Sequence, residues 1–141
     1  MWQKGDKTNP TLTYSVAEKK GNTSVLLDEV KYLKKGERKT ITGFDYQDAT
    51  DSSAFVWRGK GALKLVRSKW RIVLQDPAGQ WAVIWFSKTV FTPEGVDIIS
   101  REPQLPDKTL NHIQSLMADN PLLAKHLIDM HTLGSSSSGK L

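Results

Sequence analysis

The chain has 141 residues, a net charge of +5, 38% hydrophobic residues and no cysteine. That length supports one ordinary domain with its own core, and the missing cysteine excludes disulfide staples, thiolate nucleophiles and cysteine-ligated zinc. No run of about 18 apolar residues occurs and the start, Met1-Trp2-Gln3-Lys4, turns polar at once, so neither a membrane span nor a signal peptide is expected and the default setting is cytoplasmic.

After the breaker Asn9-Pro10, residues 11–16 alternate, with Leu12, Tyr14 and Val16 on one side, and read as a half-buried strand. Residues 24–33 and 39–46 form a hairpin across Lys34-Lys35-Gly36-Glu37, where Gly is available for a positive φ. Leu26, Asp28, Val30 and Tyr32 share a face of its first arm, so Asp28 is either a polar group in a barrel mouth or the sign of a wet face. A polar loop over 47–53 leads to Ala54-Phe55-Val56-Trp57 and then Arg58-Gly59-Lys60-Gly61, which fits neither the P-loop nor the dinucleotide fingerprint and reads as a turn or a barrel-corner kink.

Residues 63–74 and 80–90 are expected as a long hairpin around Asp76-Pro77-Ala78-Gly79, with Trp70, Ile72 and Leu74 on one face of its first arm. In Trp81-Ala82-Val83-Ile84-Trp85-Phe86 both alternating faces are apolar, so one lines an interior while the other packs against a covering element. The two Trp residues on the Trp81/Val83/Trp85 face suggest a cavity for an apolar or aromatic ligand. Thr92-Pro93-Glu94-Gly95 feeds a short last strand over 96–100.

Beyond Pro103 and Pro106 the period changes to about 3.6, with Leu110, Ile113 and Met117 on one face and Asp107 placed to cap the start. Asn120-Pro121 restarts a helix as N-cap and first-turn Pro, and Leu123, Leu127, Ile128 and His131 continue a stripe. Strands first and helices last predict a mainly β domain over 1–133, an antiparallel barrel with two C-terminal α-helices. Residues 134–141, rich in Gly and Ser, read as a flexible linker-like tail outside it.

The three histidines, His112, His126 and His131, lack a partner carboxylate at metal-site spacing, and no Ser sits in a nucleophile elbow, so no metal, cofactor or triad is expected. What remains is aromatic and polar. Tyr14, Tyr32, Trp57, Trp70, Trp81 and Trp85, with Asp28 and Arg101, form the candidate ligand set, and Asp28 and Arg101 are the candidates for acid, base or anion-anchor roles. Asp45, Asp97 and Arg58 are further handles that burial would make functional, because an isolated buried charge costs several kcal/mol. Aromatic stripes in strands are more often plain core. Arg58, Lys60, Lys64, Arg67, Lys69 and Arg71 fall in a window without an acid, and Lys31, Lys34, Lys35, Arg38 and Lys39 cluster at another turn. Solvated outward positions account for such runs. A phosphate patch, or single-stranded nucleic acid stacked on Trp57 or Trp70, is the alternative, and nucleic acid ranks below a small molecule.

Trp57-Arg58-Gly59-Lys60-Gly61, Ser68-Lys69-Trp70 and the run from Val83 through Trp85-Phe86-Ser87-Lys88-Thr89-Val90-Phe91-Thr92-Pro93-Glu94-Gly95 to Ile98 resemble small lipocalin-like (calycin) proteins of fungi and other microbes. The similarity extends upstream through Gly43-Phe44-Asp45 and Met1-Trp2, covering most of 1–101. The resemblance implies an antiparallel β-barrel whose interior binds a small hydrophobic molecule, in some members recruited as an isomerase or cyclase of secondary metabolism. Such chains open with a Gly-x-Trp strand, and here none precedes Met1-Trp2-Gln3. An unpaired edge at that point would favour a homodimer or a strand-donating partner.

Overall fold

A computed structural model describes residues 6–130 as seven antiparallel strands followed by two short helices. The strands are β1 (Lys7–Lys20), β2 (Thr23–Lys34), β3 (Glu37–Gln47), β4 (Ala54–Gly59), β5 (Arg67–Gln75), β6 (Trp81–Phe86) and β7 (Gly95–Ser100). The helices are α1 (Asp107–Ala118) and α2 (Pro121–Ala124). Strand order in the sheet is the order in sequence, and every neighbouring pair is antiparallel. Local chemistry explains this meander. Between β2 and β3, Lys35 (φ 52°) and Gly36 (φ 81°) both take the positive φ that a two-residue hairpin turn of the right twist requires.

The sheet is strongly curled. Tyr14 on β1 and Trp70 on β5 have ring centroids 6.1 Å apart, whereas four strand spacings across a flat sheet would separate them by roughly 19 Å. Tyr14 and Trp70 therefore mark the concave face. β1 and β7 remain the two edges of one open sheet, a half-barrel in place of the expected closed barrel. No described helix is long and apolar enough to cross a membrane.

The other face of β5, β6 and β7 carries the main core. Val83, Ile113, Met117 and Leu123 are fully buried together, with Val73, Leu74, Trp81, Val96 and Ile98 packed against them. The two apolar faces of β6 are thus divided: Ala82, Ile84 and Phe86 look into the curl, and Trp81, Val83 and Trp85 look outward, towards the helical flank. A bulge in β5 explains why Leu74 does not stay with Trp70 and Ile72. The register steps from Ile72↔Ile84 to Leu74↔Val83, and the extra residue, Val73, turns the strand end so that Leu74 joins the helix side.

Two expected strand segments are shorter than the alternation implies. Residues 61–66 form a 3₁₀ turn and its exit, and 87–94 form a loop, because both stretches close local hydrogen bonds such as Val66 N–H to the Leu63 carbonyl and Thr89 N–H to the Thr92 carbonyl. In α1, Asp107 lies in the first turn without making a side-chain cap, and its charge suits the helix N-terminus. Asn120 does cap α2, its Oδ1 accepting from Leu122 N–H at 3.0 Å with Pro121 next in line. The second helix then ends after one turn and a 3₁₀ segment follows, leaving Ile128 exposed instead of on a stripe. Met1, Trp2 and His131 lie outside the described residues.

Candidate functional site

Cross-strand register assembles the site. Tyr14 faces Asp28 across β1 and β2, Leu26 faces Asp45 across β2 and β3, and Asp45 faces Trp57 across β3 and β4. Asp28 and Asp45 are therefore diagonal neighbours on the concave side. Phe55 faces Trp70 across β4 and β5, and the two rings stack with centroids 4.5 Å apart. Opposite Asp28 on β3 stands Gly43, and here only hydrogen fits. A Cβ at this position would overlap the Trp57 indole and lie 2.7 Å from the Arg58 carbonyl oxygen. Gly43 thus leaves the space that the Trp57 indole occupies.

Both carboxyl groups are out of water, Asp28 with 7% and Asp45 with 0% exposure. Trp70 Nε1 donates to Asp45 Oδ1 at 2.7 Å, and the Trp57 indole N–H bonds the Asp28 carboxyl. Asp28 Oδ1 and Asp45 Oδ2 have no hydrogen-bond partner among the described residues. Burial, reinforced by the charge of Asp45, pushes the Asp28 carboxyl up to about 7 against the pull of the Trp57 bond. Burial also pushes Asp45 up to about 6, with the Trp70 bond acting the other way. The Tyr14 phenol is raised beyond its ordinary range by burial and then by the charges of Asp28, Asp45 and Asp97. Asp97, facing Ile84 from β7, thus feels the same interior as Tyr14 on β1. Asp28, Asp45 and Asp97 all act on the buried, aromatic-walled concave side around Tyr14, in a protein of net positive charge. Such a place attracts a cation or a strong hydrogen-bond donor.

Of the residues singled out from sequence, Tyr14, Asp28, Trp57 and Trp70 meet here. Tyr32 lies on the same side of β2, at its far end, with Lys7 Nζ 5.8 Å from its ring centre. Trp81 belongs to the helix-packed core. Trp85 faces outward, and its buried Nε1 has no hydrogen-bond partner among the described residues. Nearby, the Glu94 carboxylate is held down to about 2, chiefly by the hydrogen bond from Lys125, with His126 also bonded to it. Arg101 is exposed beyond β7, its Nε donating to the Gly79 carbonyl at 2.8 Å, at the tip of the β5–β6 hairpin. It does not join Asp28. Asp45, named from sequence only as a handle, proves to be a full member. Its signal was the alternation of Ile41, Gly43 and Asp45 on one side of β3, but only the register with β2 tells that this side is the Asp28 side.

Among the described residues no cluster of three or more His, Asp or Glu could hold a metal ion. Comparison with known protein families, curated proteins and solved structures yields no match.

Proposed function

We propose that the curled sheet is a calycin-like half-barrel whose concave face binds a small apolar or aromatic molecule bearing a hydrogen-bond donor, best a protonated amine. The observation that carries this reading is the buried pair Asp28 and Asp45, each with an oxygen that no described residue satisfies, set among Tyr14, Phe55, Trp57 and Trp70. Aromatic walls with a few convergent polar groups are the usual composition of a small-molecule site. A cationic head would offset the desolvation of the carboxylates, and the rings would cover its body. The unpaired edges β1 and β7 leave room for a second copy or a donated strand to extend the wall.

A second reading has its own support. Asp28, pushed up to about 7, exchanges its proton near neutral pH and faces Tyr14 in register. That is the equipment of a general acid or base for an isomerisation or cyclisation on the same scaffold. Turnover lost in Asp28→Asn with ligand still bound would favour the enzyme.

The experiment is native mass spectrometry of the purified protein, then denaturing extraction, then titration of Trp fluorescence with the retained compound. A retained amine whose affinity falls in both Asp28→Asn and Asp45→Asn supports the proposal. A protein that retains nothing, and whose fluorescence is unmoved by a panel of aromatic and alkyl amines, overturns it.

A further inference from the structure

The outer face of β4 and β5 carries a charge arrangement that folding does not favour. Arg58 and Arg67 stand directly opposite one another across the ladder, a placement of like charges that destabilises a sheet. Lys69 follows on the same face, and the connection between the strands adds exposed Lys60 and Lys64. Arg71 is paired with Asp51 and Arg58 lies over the Tyr46 ring. Among the described residues, Lys60, Lys64, Arg67, Lys69 and Lys88 have no acidic group within ion-pair distance.

Beside this basic face, in the loops that flank the strands, lie three large, exposed apolar side chains. Leu65 is 88% exposed, Val90 88% and Phe91 71%. A shared groove lined by Leu65, Val66, Arg67, Lys88, Thr89 and Val90 brings the two loops together. The 89–92 turn is rigidly made: Thr89 N–H donates to the Thr92 carbonyl at 2.8 Å, and Thr89 Oγ1 accepts from Phe91 and Thr92 N–H. Its two tip positions, where Gly, Asn or Asp would be ordinary, are Val90 and Phe91. A well-built turn that holds two apolar side chains out into water, next to a third and ringed by cations, gains nothing within the fold.

We propose that this end of the sheet docks on an anionic lipid surface, with Leu65, Val90 and Phe91 entering the headgroup layer while Lys60, Lys64, Arg67 and Lys88 meet the lipid phosphates. Apolar tips flanked by basic residues match the two demands of interfacial binding, buried area and charge attraction. Nucleic acid fits less well. Trp57 and Trp70, the best stacking rings, face the concave side away from the basic residues, and Leu65 and Val90 offer nothing to bases.

The test is co-sedimentation of the full chain with phosphatidylcholine vesicles, with and without phosphatidylserine, at low and high salt. The expected result is binding that requires phosphatidylserine and weakens with salt. Lys64→Gln and Lys88→Gln should each lose about fivefold, and the double variant Leu65→Ser/Phe91→Ser on the order of tenfold or more. These positions are exposed, so the variants should keep the wild-type circular dichroism. Equal binding to both vesicle types, no binding to either, or undiminished binding by the apolar variant would each overturn the proposal. So would displacement from vesicles by a single-stranded oligonucleotide at lower concentration than displaces other basic proteins, or a dimer that forms through Phe91.

Discussion

Replacing Asp28 with Asn should stabilise the fold, and do so far more at high pH than at low. In the unfolded chain this carboxyl loses its proton near 3.8, whereas in the fold it keeps it to about 7. Below the lower value both states are protonated and burial costs nothing extra. As pH rises from about 4 to about 7 the unfolded chain releases the proton first, so the folded state loses stability steadily. The cost amounts to about 2 kcal/mol at pH 5 and about 4 kcal/mol at pH 8, at 1.36 kcal/mol for each pH unit between the two values. A carboxamide has the same shape and still accepts from the Trp57 N–H. Urea denaturation of both proteins at pH 5 and pH 8 measures the difference directly. An Asn variant that is less stable than the parent at pH 8, or a gain equal at both pH values, would refute the assignment of Asp28 as an uncompensated buried carboxyl. The same substitution should weaken binding of a cationic ligand, so that stability and binding move in opposite directions.

Gly43→Ala is expected to cost about 1–3 kcal/mol in thermal or urea melts, because its methyl group must displace either the Trp57 indole or the Arg58 carbonyl. A shift of Trp emission should accompany the loss, and an unchanged melt would mean that the ring yields freely. Glu94→Gln removes the acceptor shared by Lys125 and His126, so amide hydrogen exchange across 121–130 should accelerate while the sheet is unaffected. Since that carboxylate is held down to about 2 in the fold, its contribution is complete above its ordinary value of 4.5 and fades as pH falls towards 2. Protection of 121–130 in the parent should follow that course, and the Gln variant should show no such step.

The parts of this fold set by local chemistry were readable in advance. Strand-like runs were read within β1, β2, β3, β5, β6 and β7, Lys35-Gly36 marked its hairpin, and Asn120-Pro121 marked the start of α2. Asn9-Pro10, expected to break the chain before the first strand, instead lies inside β1 at a register shift between Thr8 and Thr11. Faces were harder. In Trp81 to Phe86 both sides are apolar, so alternation could not say which side the helices would take, and the Val73 bulge reversed the rule for Leu74. Leu63, Leu65, Val66 and Val90 extended the expected strands because apolar residues in a run look like strand, whereas hydrogen bonds within the turns decide their backbone. The site was half legible. Tyr14 and Asp28 were each assigned a face of their own strand, but their pairing depends on register, and the approach of Tyr14 to Trp70 across four strand spacings depends on curl, a global property with no local pattern. Arg101 stood beside Asp28 as a candidate because sequence carries no distance; the fold places it at the tip of the β5–β6 hairpin instead.

Because each ladder among the described residues joins neighbours in sequence, no pairing among them waits for distant strands to meet. Contact order is low for a β protein and loop closure costs little, so hairpins can add one at a time as the chain emerges from the ribosome, and folding should be quick. The contacts across the curl, between Tyr14 and Trp70 and between Trp70 and Asp45, join strands that are not neighbours along the meander. Scaffold and site are therefore separable in time: the ladder can be complete before the concave side curls round, and a molecule held there would tighten a curl that no described strand closes.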